Sequence, residues 1–286
     1  MTWLVGNEME RQDWYNAGCY DSSQGYGGQD EMLPELYAQA YRDIYTAIKS
    51  ADSSAQVAIG GMVEATPLRL KYLDRVWNAY TNTYGMTMPV DIWNIHGFPL
   101  NEVSCQYNSS YAFGAGIPAG LTDTVGNLYN SLTDVSGNVY FSNLQAQIVA
   151  LRTWMQQHGQ QNKPLIITEY GVLYSDWICS LSGLCPVGTF SPSSVQTNMM
   201  YPSFTYFLNH TDCTLSSIDG CRFVQRWNWY STDDDSGFPC AIGWCQNFNG
   251  NLFYSDLNGT SQGISQIGTS WANYVQPLPP GSNPPY

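Results

Sequence analysis

A chain of 286 residues with 43% hydrophobic content carries enough apolar side chain to bury a substantial core, as one large domain or two small ones. Only 12% of residues are charged, whereas aromatics reach 14% with 10 Trp and 21 Tyr, a composition suited to flat apolar faces with polar tips, such as those that stack on sugar rings. With 10 Lys and Arg and a net charge of −13, the chain lacks the cations needed to neutralise phosphates, which excludes nucleic acid and disfavours an anionic membrane surface.

Taken in chain order, Thr2 to Glu8 (TWLVGNE) is a short apolar run ending in polar residues, the pattern of a buried parallel strand. A Gly-, Gln- and Asp-rich loop leads to a helix over Leu33–Ala51, whose apolar face is read from Leu36, Ala40, Ile44 and Ile48 at four-residue spacing. Gln56–Val63 is a second strand, Pro67–Tyr84 a second helix and Val90–Phe98 (VDIWNIHGF) a third strand. A long polar stretch from Asn101 to Asn138 interrupts the alternation, and loops of that length are uncommon unless functional or disordered. Helix returns over Phe141–His158, with Leu144, Ile148, Leu151 and Trp154 on one face, followed by the strand Pro164–Glu169. A second insertion precedes a helix at about Ser194–Asn209, and Cys221–Trp229 (CRFVQRWNW) is a fifth strand. Asn251–Tyr254 reads as a hairpin arm, Ile264–Val275 as a closing helix, and Gln276–Tyr286 as an extended Pro-rich tail or linker stub after one domain over residues 1–275.

Strands alternating with helices imply a parallel sheet, because parallel neighbours need crossovers of this size. A doubly wound nucleotide-binding sheet would carry GxGxxG or a P-loop, and neither is present, which favours a barrel.

The eight cysteines fall into local pairs, Cys179 with Cys185, Cys213 with Cys221 and Cys240 with Cys245, leaving Cys19 and Cys105. This reads as disulfides in an oxidising compartment, hence an extracellular or cell-surface protein; the gaps are longer than zinc spacings, and no metal or cofactor is expected. No apolar run is long enough to span a bilayer and no signal peptide is visible. Since the chain starts inside a strand, the expectation is that the natural N-terminus lies upstream.

Active sites of parallel α/β folds gather at the carboxyl ends of strands. Two strands end in glutamate, Glu8 and Glu169, a third ends in His96 and a fourth in Trp227 and Trp229. Converging carboxylates flanked by aromatics suit glycoside hydrolysis, in which one protonates the leaving oxygen and the other attacks carbon or activates water; the acid needs a raised pKa. Each has a plainer reading: a strand-end Glu is often solvated, and a lone His is more often a satisfied supporting residue than a base. Trp227 and Trp229 share a strand face, so they divide between core and sugar only if the strand bends or ends between them. Asp233, Asp234 and Asp235 read as a solvated turn or, alternatively, a calcium loop. Asn108, Asn209 and Asn258 head glycosylation sequons, which also arise by chance.

The segments WLVGNE, DIWNIHGF, PLIITEYG and RFVQRWNW, in that order, resemble strands four, six, seven and eight of the clan A glycoside hydrolases, which are retaining (β/α)8 barrels. The resemblance implies an incomplete TIM-type barrel containing strands four to eight, lacking the first three β/α units and the basic residue that clan members place near the nucleophile. It implies Glu8 as acid/base, Glu169 as nucleophile, Asn7 as partner of the sugar 2-hydroxyl, His96 beside the carboxylates, and Trp227, ahead of Trp229, as the subsite floor. Tyr170, next to the nucleophile, joins Asn7, His96, Trp227 and Trp229 as a substrate-binding residue. The implied partner is a polysaccharide or oligosaccharide. The competing expectation is a non-catalytic carbohydrate-binding or cell-surface protein on a barrel-derived scaffold; an esterase is disfavoured by the absence of GxSxG.

Overall fold

The computed structural model describes residues 1–11, 31–104, 114–132, 134–233, 250–255 and 261–277. The elements follow in the expected alternation: β1 (Thr2–Asn7), α1 (Pro34–Ala51), β2 (Gln56–Gly61), α2 (Pro67–Tyr84), β3 (Trp93–Ile95), α3 (Phe141–Gln157) and β4 (Leu165–Gly171). After β4 come α4 (Asp176–Ser182), α5 (Pro192–Val195), a π-helical turn (Gln196–Met200), α6 (Tyr201–Asn209), β5 (Arg226–Tyr230), the hairpin β6 (Phe253–Ser255) and β7 (Ser261–Ile264), and α7 (Gln266–Val275). The single helix expected near Ser194–Asn209 is therefore three consecutive helical pieces, and β3 and β5 are shorter than their apolar runs.

β1 pairs with β2, and β3, β4 and β5 form a second parallel ribbon. Parallel bridges from Ala58 to Ile92 and from Met62 to Ile95 join the two, so the spatial order is β1-β2-β3-β4-β5, the order of the sequence. Such an order has no point where the winding reverses, unlike a doubly wound sheet. Alternation divides the strands between two faces. Val57, Ile59, Trp93, Ile95, Leu165 and Ile167 join the main core with helix residues such as Tyr72, Leu73, Leu144, Ile148, Leu151, Phe204 and Phe207, while Ala58, Ile92 and Ile166 form a separate small cluster on the other face. The helices therefore cover one face of the sheet. Among the described residues the outer edges of β1 and β5 pair with no strand, so no closed barrel is described, and Trp3 and Leu4 of β1 are 48% and 49% exposed.

Helix ends follow local chemistry. Thr66 caps α2 by accepting from the Arg69 N–H, Pro67 occupies the first turn, and Gly85 closes the helix at φ 67°. Arg152 of α3, fully buried, donates to the carbonyls of Phe223 and Lys163 and to Gln225 Oε1, tying α3 to the segment that enters β5. The expected face of α3, Leu144, Ile148, Leu151 and Trp154, is the buried one.

α1 corrects its expected face. Pro34, Tyr37, Ala38 and Tyr41 are buried, while Leu36 and Ile44 are 56% and 43% exposed. The reason is geometric: a strict four-residue spacing drifts around the helix by about 40° per step, whereas an i, i+3, i+4, i+7 pattern stays on one side.

Disulfides join Cys179 to Cys185 and Cys213 to Cys221. Cys19, Cys105, Cys240 and Cys245, with Asp234, Asp235, Asn108 and Asn258, lie outside the described residues. Asp233 and Asn209 are exposed. Among the described residues no helix is long and apolar enough to cross a membrane.

Candidate active site

Three strand ends converge. Directly after β1, Glu8 adopts φ 46°, in the left-handed region that costs a non-glycine residue of order 1–3 kcal/mol. Its N–H still bonds to the Gly61 carbonyl at 2.9 Å, and its own carbonyl accepts from the Arg11 N–H at 2.9 Å. This tight turn brings the Arg11 guanidinium to 2.9 Å from Glu8 Oε2. The carboxylate is almost completely buried.

β3 runs on to His96, whose N–H donates to the Met62 carbonyl at 2.7 Å. The ring occupies space left by Gly61: a Cβ there would lie 2.3 Å from His96 Cδ2 and 2.4 Å from Nε2. A side chain at position 61 is thus incompatible with the ring as placed. His96 Nδ1 lies 3.0 Å from Glu8 Oε1 and 3.6 Å from Glu169 Oε2.

Glu169 reaches this point through a β-bulge. Ile167 pairs with Trp227 and Tyr170 with Trp229, so three steps on β4 match two on β5. The extra residue breaks the alternation. Ile167 and Tyr170 both pack in the helix-side core, while Thr168, which donates to Asn94 Oδ1 at 3.0 Å, and Glu169, which approaches His96, lie on the opposite side. Glu169 remains partly open, with its side chain 33% exposed.

The electrostatics depart from the expected acid. Burial pushes Glu8 up, but the hydrogen bond from His96 and the charges of Arg11 and His96 outweigh it and hold the carboxyl at about 2, not in the raised range. His96 moves the other way: burial lowers it, yet the hydrogen bond to Glu8 and the charges of Glu169, Glu8 and Glu10 raise it above the ordinary histidine value.

Immediately behind lies a second, closed cluster. Arg69 of α2 is wholly buried, donating from Nε to Glu10 Oε1 at 3.1 Å, from Nη1 to Glu102 Oε1 and from Nη2 to the Ala115 carbonyl at 2.8 Å. Glu10 Oε1 also accepts from the Val63 N–H at 2.7 Å, and Glu102 accepts from Thr66 Oγ1 at 2.6 Å and the Asn127 N–H at 2.7 Å. Glu64, following β2, accepts from Tyr129 Oη at 2.7 Å and the Leu100 N–H at 3.2 Å. Burial drives its carboxyl well above the carboxylate range against the pull of Arg69.

The sequence-predicted aromatics pack on the helix side of the sheet. Tyr170 Oη meets Ser203 Oγ at 3.1 Å, and its ring is edge-on to Phe207 and Trp229, each at 5.3 Å. Trp229 donates to the Gly250 carbonyl at 2.6 Å, and Trp227 packs 5.2 Å from Phe207. All three belong to the layer between the sheet and α6. Beside His96 lie Phe98, edge-on to it at 6.2 Å, and Tyr230, edge-on to Phe98 at 5.7 Å. Asn7 is exposed at the end of β1.

The structure thus gathers Glu8, His96 and Glu169, and adds Arg11, Phe98 and Tyr230, which sequence reasoning passed over. It also missed Glu10, Glu64, Glu102 and Arg69. A signal existed for Glu64, which closes the apolar run Gln56–Val63 just as Glu8 and Glu169 close theirs. Among the described residues no group of three or more His, Cys, Asp and Glu is placed to hold a metal ion.

No family model matches the sequence, and no curated protein matches it. Among solved structures, the chain is similar to a GH128 (subgroup II) endo-beta-1,3-glucanase from Sorangium cellulosum, at 15% identity and a TM-score of 0.41, over 94% of this chain and 78% of that one.

Proposed function

We propose that the chain is a glycoside hydrolase of (β/α)-barrel lineage that cleaves β-linked oligo- or polysaccharides with retention, Glu169 serving as nucleophile and Glu8 as acid/base. The observation that carries this reading is the single ring nitrogen of His96, 3.0 Å from one carboxylate and 3.6 Å from the other. The two oxygens are separated by no more than the sum of those distances. That limit admits the roughly 5–5.5 Å spacing of retaining pairs and falls short of most of the roughly 6.5–9.5 Å range of inverting ones. The sequential parallel order of β1 to β5, with helices on one face, supports the barrel lineage.

In the first half-reaction the Glu169 carboxylate attacks the anomeric carbon as Glu8 protonates the departing oxygen; in the second, Glu8 takes a proton from water as that water displaces Glu169. Partial exposure suits Glu169 to meet a substrate carbon, and Phe98, packed on His96, and Tyr230, packed on Phe98, supply aromatic surface next to the histidine. Incubation with 2-deoxy-2-fluoro glycosides bearing good leaving groups, followed by peptide mapping, tests the assignment. A covalent sugar on Glu169 is expected; hydrolysis with inversion, or labelling elsewhere, overturns it.

A second reading, a glycan-binding protein without chemistry, is favoured by one observation: the ion pair with Arg11 and the bond from His96 leave Glu8 ionised. Binding of soluble β-glycans with neither turnover nor labelling would establish it.

A further inference from the structure

Resting on the reading above, we propose that His96 holds the mobile proton of the reaction, passing it to Glu8 before glycosidic cleavage and taking it back afterward, so that an imidazolium is the resting acid of the site. His96 is not placed against substrate in this scheme. It is a positioning residue that acts through Glu8.

The geometry makes the case. Nδ1 faces carboxylate oxygens from two different strand ends at 3.0 and 3.6 Å. A bare lone pair there would confront oxygen lone pairs on both sides, so this nitrogen carries hydrogen. The groups facing the ring are Glu8 and, two residues on, Glu10 from the end of β1, and Glu169 from β4; β2 contributes Gly61, which has no side chain, and β3 and the segment after it contribute neutral Asn94 and Phe98. Arg69, shared by Glu10 and Glu102, offsets one of that pair, and Arg11 offsets one member of the Glu8 and Glu169 pair. At least one negative charge remains beside a ring that is almost fully buried. Protonating the imidazole cancels it, which a poorly solvated site favours. Glu8 meanwhile is held at about 2 and brings no proton of its own, although leaving-group departure needs one.

The steps balance. The Nδ1 proton moves to Glu8 Oε1, leaving a neutral imidazole and a carboxylic acid. Glu8 then gives that proton to the glycosidic oxygen as its bond to the anomeric carbon breaks and the Glu169 ester forms. In the second half, water attacks the anomeric carbon, the ester bond breaks, and the water's proton passes to Glu8 and on to His96.

The test pairs kinetics with spectroscopy. His96→Asn keeps an N–H toward Glu8 but cannot bind a proton. It should lower kcat/KM at neutral pH by about 100-fold or more for alkyl or glycan leaving groups, in line with typical general-acid contributions, and by only a few-fold for dinitrophenyl leaving groups. The basic limb of the wild-type pH profile should shift toward acid in this variant. Equal losses for both leaving groups with an unmoved basic limb would overturn the proposal. Should His96→Asn fail to fold, 15N-histidine spectra of the wild type and Glu8→Gln decide: His96 should titrate above the ordinary histidine value and drop in Glu8→Gln, whereas a ring already neutral at mildly acid pH overturns it. Absence of turnover and labelling in the wild type defeats the proposed function itself. An active wild type with a neutral His96 defeats only this inference.

Discussion

Two clusters of glutamates sit at the same end of the sheet and behave oppositely. Glu8 and Glu169 share a titratable histidine, one of them open to solvent; Glu10 and Glu102 clasp a wholly buried arginine, with Glu64 beside them. The residue type is the same, and the counter-charge differs. A guanidinium never releases its proton, so it fixes its carboxylates as structural pins, whereas an imidazole leaves a proton free to move. Burial without a titratable partner yields structure; convergence on one is what the proposed chemistry requires.

The largest effect that tests this contrast is Glu169→Gln, expected to lower kcat by about 10³-fold or more while leaving the melting temperature nearly unchanged. Activity loss accompanied by unfolding would place Glu169 with the structural group. Next, Arg69→Met should cost about 3–5 kcal/mol of unfolding free energy, because it strands the buried carboxylates of Glu10 and Glu102, and urea titration reads this directly. A smaller effect is expected for Gly61→Ala, whose methyl would overlap the His96 ring; displacing the ring costs about 1–3 kcal/mol and should shift the pH profile more than it weakens binding.

The smallest is Glu64→Gln. Folding raises the Glu64 carboxyl well above its ordinary value, so its contribution is fully present below that value and is lost as pH rises toward the folded one. The amide carries no charge, so the variant should differ from wild type by under about 1 kcal/mol at pH 4 and gain on it toward pH 7. A variant that instead loses ground toward neutral pH would show that Glu64 is ionised and belongs with Glu8.

Much of the frame was legible because parallel strands and their crossover helices leave strong periods. The order of elements, the α3 stripe, two disulfide pairings and the meeting of Glu8 with His96 and Glu169 were all readable at that level. Other features depend on contacts across tens of residues. Arg69 meets Glu10 and Glu102 from 59 and 33 positions away, a distance at which local pattern is silent. α1 carries two apolar stripes, and composition alone did not say which faces the sheet. Trp227 and Trp229 are read toward substrate from their strand end and the family resemblance and Tyr170 from its place beside Glu169, and the bulge between Ile167 and Tyr170 turns Tyr170 to the face opposite Glu169.

That bulge also shapes how this sequence can change. Substitution at Thr168 or Glu169 exchanges one side chain, whereas flattening the bulge with every residue kept would restore the alternation and exchange faces, turning Tyr170 toward the cleft and Glu169 into the helix layer. Phase, more than identity, is the guarded quantity in this segment. A graft that carries Thr168, Glu169 and Tyr170 onto an unbulged strand would move the right letters in the wrong phase.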